Sequence, residues 1–385
     1  MGKLKSLTGL VVLATSVMAG SAVAGAKFEA DETKWMSIGI GARTSFTAIE
    51  DASPSGDDWS SDFNLDSARI YINGQIHKNI KFEFNTECFW CSSDAPFDTE
   101  YGILDAIAKF EFSPAFNVWA GRMLVPADRE EMSGPYYANI YNAFKTPFGP
   151  ADWGEDHGKG NAGLYGRDEG VTVWGGLGSE ARFTYAVGVF EGYEAADSSD
   201  ADQDDNMLYA ARLSYNFLNV ESNPGYYTSS TYYGGLGDVL TVSIAAQYEA
   251  DAAGTAADEG DFTGLYADVF YETVLDNGGV ATFEAAYKDF DLDEKTNSFG
   301  LFEGDAWKTT GLYLFPAVVG IGKFQPYISY AEVSPESGSD SDTLDLGFNY
   351  IIDGHNSRIS VAYTTTDVED GDDTDAFLIG YQFQY

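Results

Sequence analysis

From Trp35 to Ile49 large or apolar positions alternate with small and polar ones. Met36, Ile38, Ile40, Ala42, Thr44, Phe46 and Ala48 share one face of an extended chain, and Ser37, Gly39, Gly41, Arg43, Ser45 and Thr47 share the other. A period of two is that of a β-strand, whose successive side chains point to opposite sides. The pattern returns in 68–77, 80–85, 104–112 and 116–122, pauses, and resumes near 170–176, 181–190, 207–217, 238–249, 262–273, 280–289, 306–316, 323–333, 342–351, 356–366 and 376–385. No helical stretch stands out between them. The count is about sixteen, an even number, and the lengths approach the roughly ten residues a tilted strand needs to cross a bilayer. In the last segment Phe377, Ile379, Tyr381, Phe383 and Tyr385 form one apolar face, which either packs on a soluble core or meets lipid with an aromatic at the interface.

The connections favour lipid. Short ones (77–79, 113–115, 176–180, 274–279, 317–322, 352–355) alternate with long, acid-rich ones (51–62, 191–206, 250–261, 289–305, 334–340, 367–375). A transmembrane barrel has this arrangement, with short periplasmic turns and longer outer loops, whereas a soluble sandwich has no reason to gather its long loops at one end. The expected fold is therefore all-β, an antiparallel up-and-down transmembrane β-barrel of about sixteen strands. One stretch departs from the rhythm. Residues 218–238, with NPGYYTSSTYYGGLGD at their centre, fall where a short turn is due and read as an ordered excursion on the periplasmic side.

Composition sharpens this picture. Lys3 and Lys5, the apolar run from Leu7 to Ala19, and Ala22-Val23-Ala24 have the form of a secretory signal peptide over 1–24. The barrel domain is then expected over 25–385. No later segment approaches the eighteen apolar residues of a helical span, so a membrane form has to be a closed barrel. A formal charge of -40 excludes nucleic acid as a partner, since phosphate neutralisation needs clustered Lys and Arg. Hydrophobic residues at 44% and aromatics at 15% exclude a disordered acidic polymer. Cys88 and Cys91 read as a short-loop disulfide in an oxidising compartment, with thiol-redox chemistry as the alternative. No metal site or other cofactor is expected, because only three histidines are present. Catalysis is not expected either: His77 and His355 fall in turns, and His157, beside Asp156, is a loop residue without a recognisable nucleophile motif.

The longest connection, 123–169, mixes Pro, Gly, aromatics and charges of both signs. A loop of that length in a compact fold is usually functional. It is expected to fold into the barrel and narrow an otherwise wide aqueous pore, the alternative being a loop packed on the rim or at a subunit contact. Basic residues on the inferred inner face are Arg43, Arg69, Lys81, Lys109, Arg182 and Arg212, with Arg122 joining them. Asp128, Arg129, Glu130 and Glu131, then Asp152, Glu155 and Asp156, are the loop charges that would face them. Such an arrangement sets a transverse field across the narrowest section; alternatively the cations pair with Glu83, Glu87, Asp105 and Glu111 and stiffen the wall. The acidic run 197–205 matches no calcium-loop spacing and reads as a solvated rim that enriches cations at the mouth.

The segments FNLDSARIYINGQIHKNIKFEFN, AIAKFEFSPAFNVWAGRMLVPADREEM and LYAARLSYNFLNVESNPGYY resemble the phosphate-selective porin O and P family. The resemblance implies a sixteen-stranded barrel with its third outer loop in the pore, a homotrimer, and phosphate-holding cations at places comparable to Arg69, Lys81, Arg122, Arg182 and Arg212. The function expected here is passive diffusion of small hydrophilic solutes through the outer membrane, with a mild cation preference because the loops are acidic. An anion- or phosphate-specific channel, or a barrel acting as a sheath or surface-interaction protein, are the alternatives. The expected partners are outer-membrane lipid and lipopolysaccharide, and the barrel-assembly machinery acting on the last strand.

Overall fold

The computed structural model describes residues 25–31, 33–89, 100–142, 166–178, 180–195, 197–295 and 303–385. The expected signal peptide, Cys91, Asp152, Glu155, Asp156 and His157 lie outside these residues. The strands are β1 (Ala26–Asp31), β2 (Lys34–Ile49), β3 (Ser60–His77), β4 (Ile80–Phe89), β5 (Glu100–Ser113), β6 (Phe116–Leu124), β7 (Arg167–Leu177), β8 (Phe183–Phe190) and β9 (Leu208–Asn216), followed by β10 (Val239–Thr255), β11 (Asp258–Val274), β12 (Val280–Asp291), β13 (Gly304–Leu314), β14 (Lys323–Pro335), β15 (Ser341–Asp353), β16 (Ser357–Val368) and β17 (Thr374–Gln384). A short helix, α1 (Arg129–Tyr137), follows β6.

Strands β2 to β17 each pair antiparallel with the next, and β17 returns to β2 with Phe377 opposite Ala48 and Gln384 opposite Gly41. Tyr385 and Ile40 exchange both backbone hydrogen bonds, at 2.8 Å each. Closure removes every sheet edge, which is the condition for backbone polar groups to lie in hydrocarbon. The sixteen-stranded barrel expected from periodicity is the observed one.

Burial is inverted relative to a soluble protein. Ile244 is 58% exposed, while Lys288, Gln325, Asn349, Arg358 and Gln382 are all fully buried. Each apolar set noted above points outward and its polar partners point inward, so the greasy faces form a continuous outer band.

Three features differ from expectation. The acid-rich stretch 250–261 is not a loop: after a register shift the β10–β11 ladder resumes at Ala253, opposite Gly260, and runs to a tight turn between Thr255 and Asp258, with Ala252 and Ala253 fully buried. Strand β1 was not foreseen; it pairs with the first part of β2, on the flank where β17 has already ended. The third difference concerns the interior.

Candidate functional site: the filled barrel interior

The chain after β6 turns inward. Asp128 caps α1 by accepting the Glu131 backbone N–H at 2.9 Å, a local signal legible in the Asp-Arg-Glu-Glu run. Gly134, at φ 66°, and Pro135 then kink the helix, and the chain leaves it through an extended Ala138 into bends at 138–142. Every residue from Arg129 to Tyr136 is buried.

This segment is fixed on two sides by different chemistry. Its acids meet lysines: Glu130 accepts from Lys308 Nζ at 2.9 Å, Glu131 from Lys288 Nζ at 2.9 Å, and Asp128 lies 3.3 Å from the same ammonium. Burial pushes the Asp128 carboxyl up, against the pull of Lys288. On the other side, backbone carbonyls face guanidinium and amide groups. Arg43 donates to Tyr141 O at 2.6 Å, Arg358 to Ala138 O at 2.7 Å, Gln382 to Tyr136 O at 3.0 Å and Asn349 to Asn139 O at 2.9 Å. Arg43, Gln382 and Arg358 are register neighbours across β2, β17 and β16, so they form one row on the inner wall. Arg43 also stacks on Tyr141, 4.0 Å from the ring centroid.

A second segment enters from the opposite end. Residues 218–238, expected as an ordered periplasmic excursion, are tucked into the barrel, with Ser229, Ser230 and Thr231 buried. Arg129 grips Glu221 through two hydrogen bonds, of 2.7 and 2.6 Å. Thr228 donates its backbone N–H to Met132 O at 3.2 Å, and Ser230 donates its own to Tyr137 O at 3.1 Å. The Glu272 carboxylate gathers donors from Thr231 Oγ1, Tyr232 N, Gly234 N and Thr282 Oγ1. Tyr226 and Tyr227 pack on the fully buried Trp119 with ring centroids 5.3 and 5.5 Å away. His355, in the turn between β15 and β16, bridges the two segments. Its Nδ1 lies 3.1 Å from Tyr136 O and its Nε2 3.0 Å from Thr231 O. A polar interior welcomes such a segment, since its backbone finds partners without an apolar face of its own.

The basic residues inferred from sequence divide into groups. Arg69 pairs with Glu87 at 2.5 Å, Lys109 with Glu83, Lys81 with Glu111 at 2.5 Å, and Arg212 with Asp268 at 2.6 Å. These are wall pairs, of the kind weighed as the alternative to a transverse field. Arg167, not singled out from sequence, holds Asp105 at 2.7 Å. Arg122 reaches Glu169 at 2.8 Å toward the long-loop end. Arg182 sits at the short-turn end on Glu180 and the carbonyls of 216–218, away from the loop. Among the described residues Arg43 and Arg358 are buried cations with no carboxylate in ion-pair distance. Lys288, Lys308 and Arg358 were missed by sequence reasoning; their only signal was an isolated cation at an inward position of a strand. Cys88 is disulfide-bonded, and the one other cysteine of the chain is Cys91.

Two cavities flank the inner segments at the short-turn end. One, of about 240 Å³, is lined by Trp35, Tyr71, Tyr136, Tyr137, Arg69 and Lys109 among others. The second, of about 220 Å³, lies between Trp174, Arg212 and the 220–228 stretch.

No curated protein matches the chain. Among solved structures it is similar to the anion-selective porin from Comamonas acidovorans at 11% identity, over 91% of this chain and 100% of that one, with a TM-score of 0.61. It is similar to OmpT of Vibrio cholerae in its trimer form at 14% identity, over 92% and 100%, with a TM-score of 0.56. It is also similar to OprB of Pseudomonas putida at 9% identity, over 91% and 94%, with a TM-score of 0.59. The sequence profile of the phosphate-selective porin O and P family matches residues 39–385. The closed barrel with its inverted burial is an outer-membrane channel, not an enzyme, and the chain belongs to the phosphate-selective porin O and P family.

Proposed function

We propose that the protein is a passive diffusion channel for small polar solutes in which anions, phosphate among them, are the favoured charged class. The carrying observation is the row Arg43–Gln382–Arg358, where two buried guanidinium groups lack carboxylate partners while most other inward cations are neutralised by acids. A fixed cation in a narrow, partly dehydrated section attracts anions far more strongly than it would in bulk water. The loop carbonyls of Tyr136, Ala138, Asn139 and Tyr141 now occupy part of this row, so the loop sets how much positive field the lumen sees. The cation preference expected from the acid-rich loops finds no support in the family or the structural neighbours. Those acids sit at the mouth, where salt screens them within about 8 Å at physiological ionic strength.

The lumen is narrowed twice in this reading, by 125–142 and by 217–238, and solutes pass through what the two segments leave between them and the wall. Assembly as a homotrimer is favoured by the trimeric OmpT neighbour. The test is the reversal potential across planar bilayers in a salt gradient. Anion permeability above cation permeability is expected, and the pair Arg43→Gln with Arg358→Gln should lower that ratio severalfold. A ratio below one in the unmodified channel sinks the proposal.

A further inference from the structure

The long-loop end of the barrel holds a second cluster that the channel reading does not use. Asp168, at the start of β7, is fully buried; its carboxylate accepts Glu169 N at 2.7 Å and Gly192 N at 2.9 Å. Glu249, on β10, is also fully buried and accepts Tyr193 N at 2.8 Å. Successive amides, those of Gly192 and Tyr193, thus hold two carboxylates side by side beneath one turn of the 191–206 loop. Carboxylate oxygens of Asp168, Glu169 and Glu191 all lie within 4.8 Å of one another.

Acidic neighbours alone would be a solvated rim. The distinguishing observation is Glu249 Oε2, which is buried and has no hydrogen-bond partner. It points over Gly192, whose missing side chain leaves the room: a Cβ there would sit 2.5 Å from this oxygen. Gly192 N also donates to Asp168 at 2.9 Å, so the unpartnered oxygen lies over the residue that joins Asp168 to Glu191. Asp202, 2% exposed, leaves its Oδ2 without a partner too, and it and Asp168 are the charges that Glu249 feels most. Among the described residues the cation bonded to the group is Arg122, on Glu169 at 2.8 Å. Burial, then Glu194 and Glu169, push the Glu191 carboxyl up, as expected where carboxylates outnumber the cations beside them.

We propose that Asp168, Glu169 and Glu191, joined by the unpartnered Glu249 and with Asp202 at the margin, form a calcium-class divalent-cation site that fastens the 191–206 loop to the barrel rim. The chemistry fits a hard cation: all donors are oxygens, and Ca²⁺ takes six to eight of them at about 2.3–2.6 Å. Two oxygens on opposite sides of such an ion stand up to about 5 Å apart, and the carboxylate oxygens of Asp168, Glu169 and Glu191 are all within 4.8 Å of one another. No contiguous calcium-loop motif is needed, because β7, β8 and β10 bring the donors together from distant parts of the chain. An affinity on the order of 0.1–1 mM is expected for a partly open extracellular site.

The test uses the folded full-length barrel in detergent, stripped with chelator and titrated with CaCl₂ while thermal unfolding and calorimetric heat are followed. Calcium should raise the unfolding midpoint by several degrees, and Glu249→Gln should weaken binding at least tenfold. Because that change also removes an uncompensated buried charge, the metal-free variant should unfold at or above the temperature of the metal-free parent. A control, Asp372→Asn with Asp373→Asn in the exposed 369–373 turn, should keep the full calcium shift. The proposal is overturned if the parent shows no calcium shift, if NaCl at matched ionic strength reproduces it, if Glu249→Gln retains it, or if the control loses it.

Discussion

The Arg129–Glu221 pair is the strongest single tie between the two inner segments, and its removal gives the most demanding test of the filled interior. Both groups are buried, with Arg129 1% and Glu221 9% exposed at the side chain. Burial alone would raise the Glu221 carboxyl, yet Arg129 outweighs it and holds the group from its ordinary 4.5 down to about 2. That depression corresponds to about 3 kcal/mol, in line with the ~3–5 kcal/mol typical of breaking one side of a buried pair. Arg129→Met keeps much of the side-chain volume against Phe270, which the guanidinium approaches to 4.4 Å, and removes the charge. About 3 kcal/mol is roughly two decades in the ratio of docked to undocked segment. Hydrogen exchange at the amides of Thr228 and Ser230, which donate to Met132 O and Tyr137 O, should accelerate by about that factor. Ladder amides of β14 and β15, which pair with each other and not with Arg129 or Glu221, should keep their protection. Glu221→Gln should act in the same direction, and the double variant should cost less than the sum of the two because each already breaks the same contact. The pH dependence has a defined sign. A carboxyl depressed on folding contributes fully above about 4.5 and loses its contribution as pH falls toward about 2. Unchanged exchange in Arg129→Met would mean that the 217–238 segment is not held by α1, and the account of the interior would fail.

Other consequences are more local. His355 is depressed to about 4, chiefly by burial and further by Arg358; its ring keeps some solvent exposure, so at most about 3 kcal/mol of docking is lost as pH falls from about 6.5 to about 4. His355→Gln should flatten single-channel noise across that range if the imidazole joins the segments. Gly225 sits at φ 63°, and a Cβ there would lie 2.1 Å from the buried Trp119 ring. Gly225→Ala should therefore cost about 3 kcal/mol through overpacking and a left-handed backbone, read as a lower temperature for the heat-induced gel shift. On the outer face, Ile244→Lys places a charge where an isoleucine is 58% exposed. Its expected cost in urea-driven unfolding from lipid vesicles is about 2–4 kcal/mol, and a change below about 0.5 kcal/mol would show that this face does not meet hydrocarbon.

The wall was legible in the sequence and the interior was not, for one physical reason. A strand facing hydrocarbon on one side and water on the other carries its environment in its own alternation, so Met36 to Ala48, or Phe377 to Tyr385, can be read without knowing any neighbour. Even the closure of β17 on β2 follows from an apolar face that leaves no free edge in lipid. The inner segments obey no such rule. Lys288 finds Glu131 and Lys308 finds Glu130 across 157 and 178 residues of chain, and nothing local to either lysine announces a partner. The 218–238 stretch reads as an ordered excursion on the periplasmic side because hydroxyls, glycines and tyrosines suit a polar barrel interior as well as they suit water. Its placement is decided by where its donors end up. Glu272 collects three of them and Glu221 meets the one arginine that α1 offers. In a barrel of this width the burial of polar groups, rather than of apolar ones, selects the fold of the interior. The proposed selectivity therefore falls to charges left over once the pairs have formed, and among the described residues Arg43 and Arg358 are buried cations without a carboxylate in ion-pair distance.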